Sequence, residues 1–327
     1  MDTLRLGTIG TSQITTQFIE AALDSQHYSY EAVYSRSLDK AEAFKKKYKA
    51  EKAYADWSDF LKDEAIDVIY VASPNSLHFK QAMDAVSHKK NLIIEKPMVT
   101  SLNEWDELIE AAQKEEVIVV EAARHIFEPN FIKVTEAIQD FPKILGAHLT
   151  YSKYSSRYDN VLAGEEPAIF SPQFGGGAAN DLGIYVIYAA VKWFGMPDSV
   201  HAFSHPIQTG VDGKGTAILR YPSFDVTLHY GKINTSLNHS EVYSSDHTLV
   251  LDSITGVSKA ELVDARTRGK QVVELTEPAE NPLIDEAIAF AKVMKDPKSA
   301  TSRAKVNEWH SLSRKVHVVL EKVRESN

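Results

Sequence analysis

The first 122 residues alternate short apolar runs with amphipathic stretches, and few folds accept that rhythm. Leu4–Ile9, Tyr30–Ser35, Ile66–Ser73, Asn91–Glu95 and Val117–Ala122 read as strands. Between them, Ile14–Leu23, Leu38–Tyr48, Ser76–His88 and a stretch running to about Glu115 read as helices. Ile14, Phe18, Ala22 and Leu23 share one helical face. Ser101-Leu102-Asn103-Glu104 is a capping box that opens the last of these helices. Strand–helix alternation implies a parallel sheet with right-handed crossovers, covered by helices on both faces.

After Arg124 the rhythm changes. Ile144–Tyr154 reads as a strand and Ser155–Phe174 as a polar connection. Gly175–Gly177 then leads into a helix over Asn180–Phe194. Strand-like runs fill Val200 to Val273. Thr216–Tyr221 and Val226–Tyr230 form an expected hairpin across Pro222-Ser223-Phe224-Asp225. Helices over Pro282–Met294 and Arg303–Arg324 close the chain. The fold class is α/β: an N-terminal Rossmann doubly wound parallel sheet, then an α+β domain with a large, mainly antiparallel open sheet. Two domains suit 327 residues of which 43% are hydrophobic. The expected division is 1–123 for the nucleotide and 124–327 for substrate and oligomerisation, with the last helix packing back on the first domain.

A net charge of −9 disfavours a nucleic-acid partner. The absence of cysteine excludes disulfides and thiolate metal sites, and no metal is expected. Met1-Asp2-Thr3-Leu4-Arg5-Leu6 has no basic stretch followed by an apolar one, and no run approaches the roughly 18 apolar residues of a membrane span. A cytoplasmic protein without membrane contact is expected. In Thr216–Tyr221, Ala217, Leu219 and Tyr221 read as facing outward against Ile218 and Arg220. Both sheet faces then carry apolar groups, so burial against a second copy is expected.

Gly10-Thr11-Ser12-Gln13-Ile14-Thr15 joins the first strand to the first helix. Gly10 suits the tight turn, Ser12 is small enough for a pyrophosphate to approach, and Thr15 allows helix–strand packing. Free N–H groups at the helix start favour an anion; an ordinary strand–helix turn is the alternative. Ser35-Arg36 ends the second strand where an acidic residue would bind the ribose of NAD. A hydroxyl and a guanidinium suit the 2′-phosphate of NADP instead. Asp39 comes too late and should face solvent. At the next edge stand Ser73, Asn75, suited to the nicotinamide ribose, and Ser76, read as a helix cap. His78 reads equally as a crevice-wall histidine or a cofactor contact. Glu95-Lys96-Pro97 follows the Asn91 strand, so Lys96 faces a ligand crevice.

The G-x-x-G-x-S turn, the Ser-Pro-Asn-x-x-His edge and Glu95-Lys96-Pro97 resemble the Gfo/Idh/MocA family (glucose–fructose oxidoreductase and inositol dehydrogenase). The order of elements matches over the full length. Gly175-Gly176-Gly177 and Asn180-Asp181-Leu182-Gly183-Ile184-Tyr185 carry the match in the second half. Many members have a histidine where this chain has Tyr185, so it looks like the tyrosine branch, which includes dimeric dihydrodiol dehydrogenase and uses NADP. The resemblance implies an NADP-dependent enzyme moving hydride to or from a secondary alcohol or carbonyl of a sugar, polyol or diol. It also implies a cis Lys96–Pro97 bond. A cofactor-sensing regulator and a tetrapyrrole or imine reductase are the alternatives on one scaffold.

Residues four apart share a helical face, so Asp181 and Tyr185 are expected to point together into a cleft between the domains. A developing alkoxide needs a proton and a positive charge. Tyr185 is the candidate general acid/base. Lys96 polarises the substrate oxygen and tunes Tyr185, and Asp181 orients a substrate hydroxyl or Lys96. The alternatives are a core tyrosine, a helix-capping aspartate and a surface lysine paired to Glu95. Arg124, Tyr154 and Arg157 are candidate substrate contacts. A homodimer or higher oligomer through the second sheet is expected.

Overall fold

The computed structural model describes residues 3–326, so the Met1-Asp2 start of the opening segment and Asn327 lie outside the described residues. Two compact units form. One comprises Met1–Arg124 with Ala279–Ser311, the other His125–Pro278 with Leu312–Asn327.

In the first unit β1 (Leu4–Ile9), α1 (Gln13–Asp24), β2 (Tyr28–Tyr34), α2 (Leu38–Tyr48), β3 (Lys52–Tyr54), α3 (Trp57–Lys62), β4 (Val68–Val71), α4 (Asn75–Ser87), β5 (Asn91–Glu95), α5 (Leu102–Lys114) and β6 (Val119–Ala122) follow in order. The six strands are all parallel, in the order β3-β2-β1-β4-β5-β6. The order in which strands are added reverses between β1 and β4, and ligands of such sheets bind beyond the strand ends at that switch. All four residues of β4 and all four of β6 are buried. That suits strands covered on both faces, which need continuous apolar runs rather than alternation.

β3 and α3 are absent from the pattern reading. β3 has only three residues, all half-buried at the sheet edge, too short to show a period. α4 also starts one residue early. Pro74 occupies its N-cap without a side-chain cap, so Ser76 lies inside the helix and does not cap it.

The second unit contains α6 (Pro129–Gln139), β7 (Ile144–Ser152), α7 (Tyr158–Leu162), α8 (Ile184–Phe194), β8 (Ser199–Pro206), β9 (Asp212–Arg220), β10 (Asp225–Gly231), β11 (Ser240–Ser244), β12 (His247–Leu251), β13 (Ala260–Asp264) and β14 (Lys270–Val272). Its eight strands run β14-β13-β12-β11-β7-β10-β9-β8, antiparallel except for the β7–β10 pair. The β9–β10 hairpin pairs Arg220 with Asp225 and Ala217 with Leu228.

Ala217, Leu219 and Tyr221 do not face outward. All three are buried, and the Tyr221 hydroxyl donates to the Gly195 carbonyl at the end of α8 (3.2 Å). Ile218 and Arg220 lie on the opposite face. Alternation separates two faces but does not say which one the helix covers.

The chain closes with α9 (Ile284–Lys295) and α10 (Ala300–Glu325). α9 belongs to the first unit, where the Tyr28 hydroxyl donates to the Ala287 carbonyl (2.8 Å) and the Asn281 amide to that of Gln17 (2.9 Å). Among the described residues no helix is long and apolar enough to cross a membrane.

Candidate active site

The β1–α1 turn is built around Gly10. Its φ of +98° is a left-handed conformation, and a Cβ there would stand 3.1 Å from the Ala72 carbonyl oxygen. Only glycine takes that conformation without strain. Ser12 caps α1, its Oγ accepting from the Thr15 N–H (3.4 Å) and lying 3.0 Å from the Thr15 hydroxyl. No acidic residue sits in the first turn of α1. A backbone that turns this tightly, with exposed N–H groups at a positive helix end, fits the pyrophosphate of a dinucleotide. Thr11, Gln13 and Ile14 complete this loop.

At the end of β2 the Ser35 Oγ accepts from the Ser37 N–H (3.3 Å), and Ser37 in turn caps α2. Arg36 and Asp39 are both exposed, so Asp39 turns to solvent as expected. Beyond β4, the Ser73 hydroxyl donates to the Gln81 amide oxygen (2.6 Å), and Asn75 opens α4. His78 is fully buried. Its Nδ1 lies 3.0 Å from the Pro97 carbonyl and its Nε2 2.8 Å from that of Ser73. The ring therefore ties the turn after β5 to the end of β4. Burial holds its pKa below the ordinary histidine value, while the two carbonyls and Glu121 oppose that shift.

Glu95 ends β5 and accepts from the Tyr70 hydroxyl at 2.5 Å. Burial pushes its carboxyl up against the opposing pull of Lys96, Tyr70 and Arg124. The Lys96–Pro97 bond is cis. On the far side of the turn the Met98 N–H donates to the buried Glu121 carboxylate (2.9 Å). Lys96 thus projects from a turn held by Glu95, His78 and Glu121.

In the second unit the glycine run is compulsory. Gly175 is left-handed (φ 66°) and Gly177 has φ 122°. A Cβ on Gly176 would come 2.7 Å from the Ile169 backbone. The run ends in a π-helical turn over Ala179–Gly183, and α8 starts only at Ile184. The single helix expected over Asn180–Phe194 is therefore two pieces. Two charged contacts hold the first piece. Half-buried Asp212 accepts from the Ala179 N–H (2.8 Å), and the Asp181 carboxylate pairs with the Lys232 ammonium (2.8 Å). Burial raises the Asp212 carboxyl above its ordinary value, against the pull of backbone N–H groups and Lys232. Single-turn π segments are frequent at functional sites.

Tyr185 lies in the first turn of α8, 9% exposed. The His125 ring meets it edge-on at 4.9 Å and the Tyr151 ring at 5.4 Å. Tyr154 is exposed, and its hydroxyl donates to Asp159 (2.6 Å). Arg157 borders a cavity of about 360 Å³ with Asn160, Glu165, Glu166 and Pro167. Arg124 ends the first stretch of the first unit, just after β6. Lys232 was not foreseen. One residue past a strand, it reads as an ordinary surface lysine, and only its 1% exposure reveals otherwise.

Residues 4–123 match the model of an oxidoreductase family with an NAD-binding Rossmann fold, and residues 143–250 that of the GFO/IDH/MocA C-terminal domain. An uncharacterized oxidoreductase of Escherichia coli, YgjR, is 38% identical over 89% of this chain and 88% of its own. This chain belongs to the Gfo/Idh/MocA oxidoreductase family. The scyllo-inositol 2-dehydrogenase (NADP(+)) IolU of Bacillus subtilis is 35% identical, covering 90% of this chain and 89% of its own. The fold is shared with KijD10, a 3-ketoreductase from Actinomadura kijaniata solved with NADP and TDP-benzene. Its TM-score is 0.87 at 20% identity, over 99% of this chain and 98% of that one. The protein is thus an oxidoreductase whose parallel sheet is the nucleotide-binding half.

Proposed function

We propose that this chain is an NADP-dependent dehydrogenase/reductase acting on a secondary alcohol or carbonyl of a small sugar, polyol or diol. The observation that carries the reading is the turn after β5, which sets Lys96 at the carboxyl edge of a sheet whose switch point lies beside a glycine loop. The NADP named for IolU supports the cofactor choice, as do Ser35 and Arg36 in place of an acidic residue. The cofactor, when bound, supplies or accepts the hydride. Gly10, Thr11, Ser12, Gln13 and Ile14 take its pyrophosphate. Ser73 and Asn75 would hold the ribose, Glu95 and Lys96 would meet the nicotinamide end, and His78 braces that edge.

In the reducing direction, charge develops on the carbonyl oxygen. The Lys96 ammonium stabilises that charge, and Tyr185 delivers the proton from its hydroxyl; oxidation reverses both transfers. A tyrosine has a pKa near 10 unaided, so a neighbouring cation helps it give and take a proton. Asp181 accepts a hydrogen bond from a second substrate hydroxyl. Arg124, Tyr154 and Arg157 are secondary substrate contacts.

The test is NADPH oxidation against a panel of sugars, inososes and diketones, with NADH alongside. Turnover preferring NADPH is expected, and Lys96→Met should lower kcat about 10²-fold or more while NADPH still binds. Tight NADPH binding with no turnover across the panel would favour a sensor instead.

The same reading has the protein working in the cytoplasm, which fractionation checks. It also pairs two copies through the open face of the second sheet, where Phe203 is 66% exposed. Light scattering at micromolar concentration reads that directly; a monomer rejects it.

A further inference from the structure

Lys232 is the least expected charge in the second unit. It follows β10, and its side chain is 1% exposed. The ammonium pairs with Asp181 at 2.8 Å, donates to the Ile169 carbonyl at 2.8 Å and lies 4.3 Å over the Phe170 ring. Its own N–H donates to the Gly213 carbonyl (2.9 Å), one residue from Asp212. Asp212 accepts from the Ala179 N–H at the start of the π turn. The Asp212 carboxylate and the Lys232 ammonium therefore grip the turn from the sheet side, while the Asp181 side chain keeps 35% exposure.

Burying an ammonium is costly, and well-packed apolar groups of similar volume often replace a buried ion pair without loss of stability. A methionine at 232 could keep the contact with Phe170 through its thioether. Folding alone therefore gives weak grounds for an ion pair here. What an apolar side chain cannot do is fix a carboxylate. The ion pair holds the Asp181 Oδ2, and the side chain is still 35% exposed. The π turn sets that carboxylate out of the α-helical register of Tyr185.

We propose that Lys232 is a positioning residue. It fixes the part-exposed Asp181 carboxylate in the π turn so that the carboxylate meets a substrate hydroxyl. This rests on the role given to Asp181 under the proposed function.

Three variants test it: Lys232→Met, Asp181→Asn and the double substitution, with wild type and Lys96→Met as references. Kinetics and thermal unfolding are measured on each with NADP bound. Misplacing a positioning group by about 1 Å can cost about 10²-fold. Lys232→Met should lower kcat by roughly that factor, keep NADPH affinity, and lower the unfolding midpoint, because it leaves the Asp181 carboxylate without its buried partner. The double variant should be no slower than Asp181→Asn, since both remove one function. Wild-type kcat in Lys232→Met, or losses that multiply in the double variant, overturns the proposal. A midpoint that falls with kcat unchanged assigns Lys232 to stability alone and also overturns it. If wild type turns over no substrate, the functional reading fails, and the thermal double-mutant cycle decides the brace: no coupling between positions 181 and 232 rejects it.

Discussion

The turn bearing Lys96 and the turn bearing Asp181 present one charged side chain each, but they are held in opposite ways. Lys96 is positioned mainly by its own neighbourhood in sequence and by adjacent strands: Glu95 before it, Pro97 after it, His78 and Glu121 behind. Asp181 is positioned by Lys232, 51 residues further along the sequence (232 − 181), and its turn by Asp212. A motif can carry the first arrangement. The second depends on which residues the sheet brings together, so it cannot be read from a short stretch of chain.

The largest expected effect breaks the chemistry without touching either support. Tyr185→Phe should lower kcat by about 10²- to 10⁴-fold with an unchanged unfolding midpoint, because the ring contacts with His125 and Tyr151 survive. A loss below tenfold would make Tyr185 a core tyrosine. Next comes the cofactor end of the first unit. Arg36→Ala should raise the KM for NADPH roughly 10- to 100-fold, as expected for one charge-assisted contact, and leave that for NADH alone. Equal loss for both would remove Arg36 from 2′-phosphate recognition.

Gly176→Ala is the smaller, structural blow to the second unit. Its Cβ would meet the Ile169 backbone at 2.7 Å, with no flexible side chain to yield. Overpacking of this kind costs about 1–3 kcal/mol. Denaturant unfolding followed by amide exchange should report the loss around the π turn and leave β5 unaffected.

The mildest difference is in acid. Burial lowers the pKa of His78 and of His310 below the ordinary 6.5, and both lie in the first unit. The folded state then binds fewer protons than the unfolded chain. The stability these rings contribute is complete above 6.5 and declines as pH falls below it. Thermal melts at roughly pH 5.5 should show a lower midpoint than at pH 7. His78→Gln should flatten that dependence; an unaltered slope would mean the ring titrates normally.

Much of the first unit was legible because its strands are covered on both faces. Val68–Val71 and Leu92–Ile94 are continuous apolar runs that fit little else. β3 escaped because three half-buried residues carry no period. In the second unit the strands were visible but their faces were not, since Ala217 and Ile218 are both apolar. The π turn was illegible for a different reason. Apolar residues crowd Leu182–Val191 whether the preceding turn is α or π, and the charges that hold the π turn, at the start of β9 and just past β10, come from elsewhere in the sequence. Gly10, Ser35 and Lys96 stand at strand ends where the pattern put them, whereas Lys232 sits one residue past a strand, where lysine is ordinarily solvated.

Tyr70 has two attachments. Its ring lies flat on Phe18 of α1, centroids 3.9 Å apart, while its hydroxyl holds Glu95. α1 begins at the glycine loop, and Glu95 immediately precedes Lys96. One side chain is thus a strut between the part that would receive a phosphate and the part that would touch a reacting oxygen. Any tilt of α1 on loading would be transmitted, through a stacked ring and one short hydrogen bond, to the residue beside the lysine.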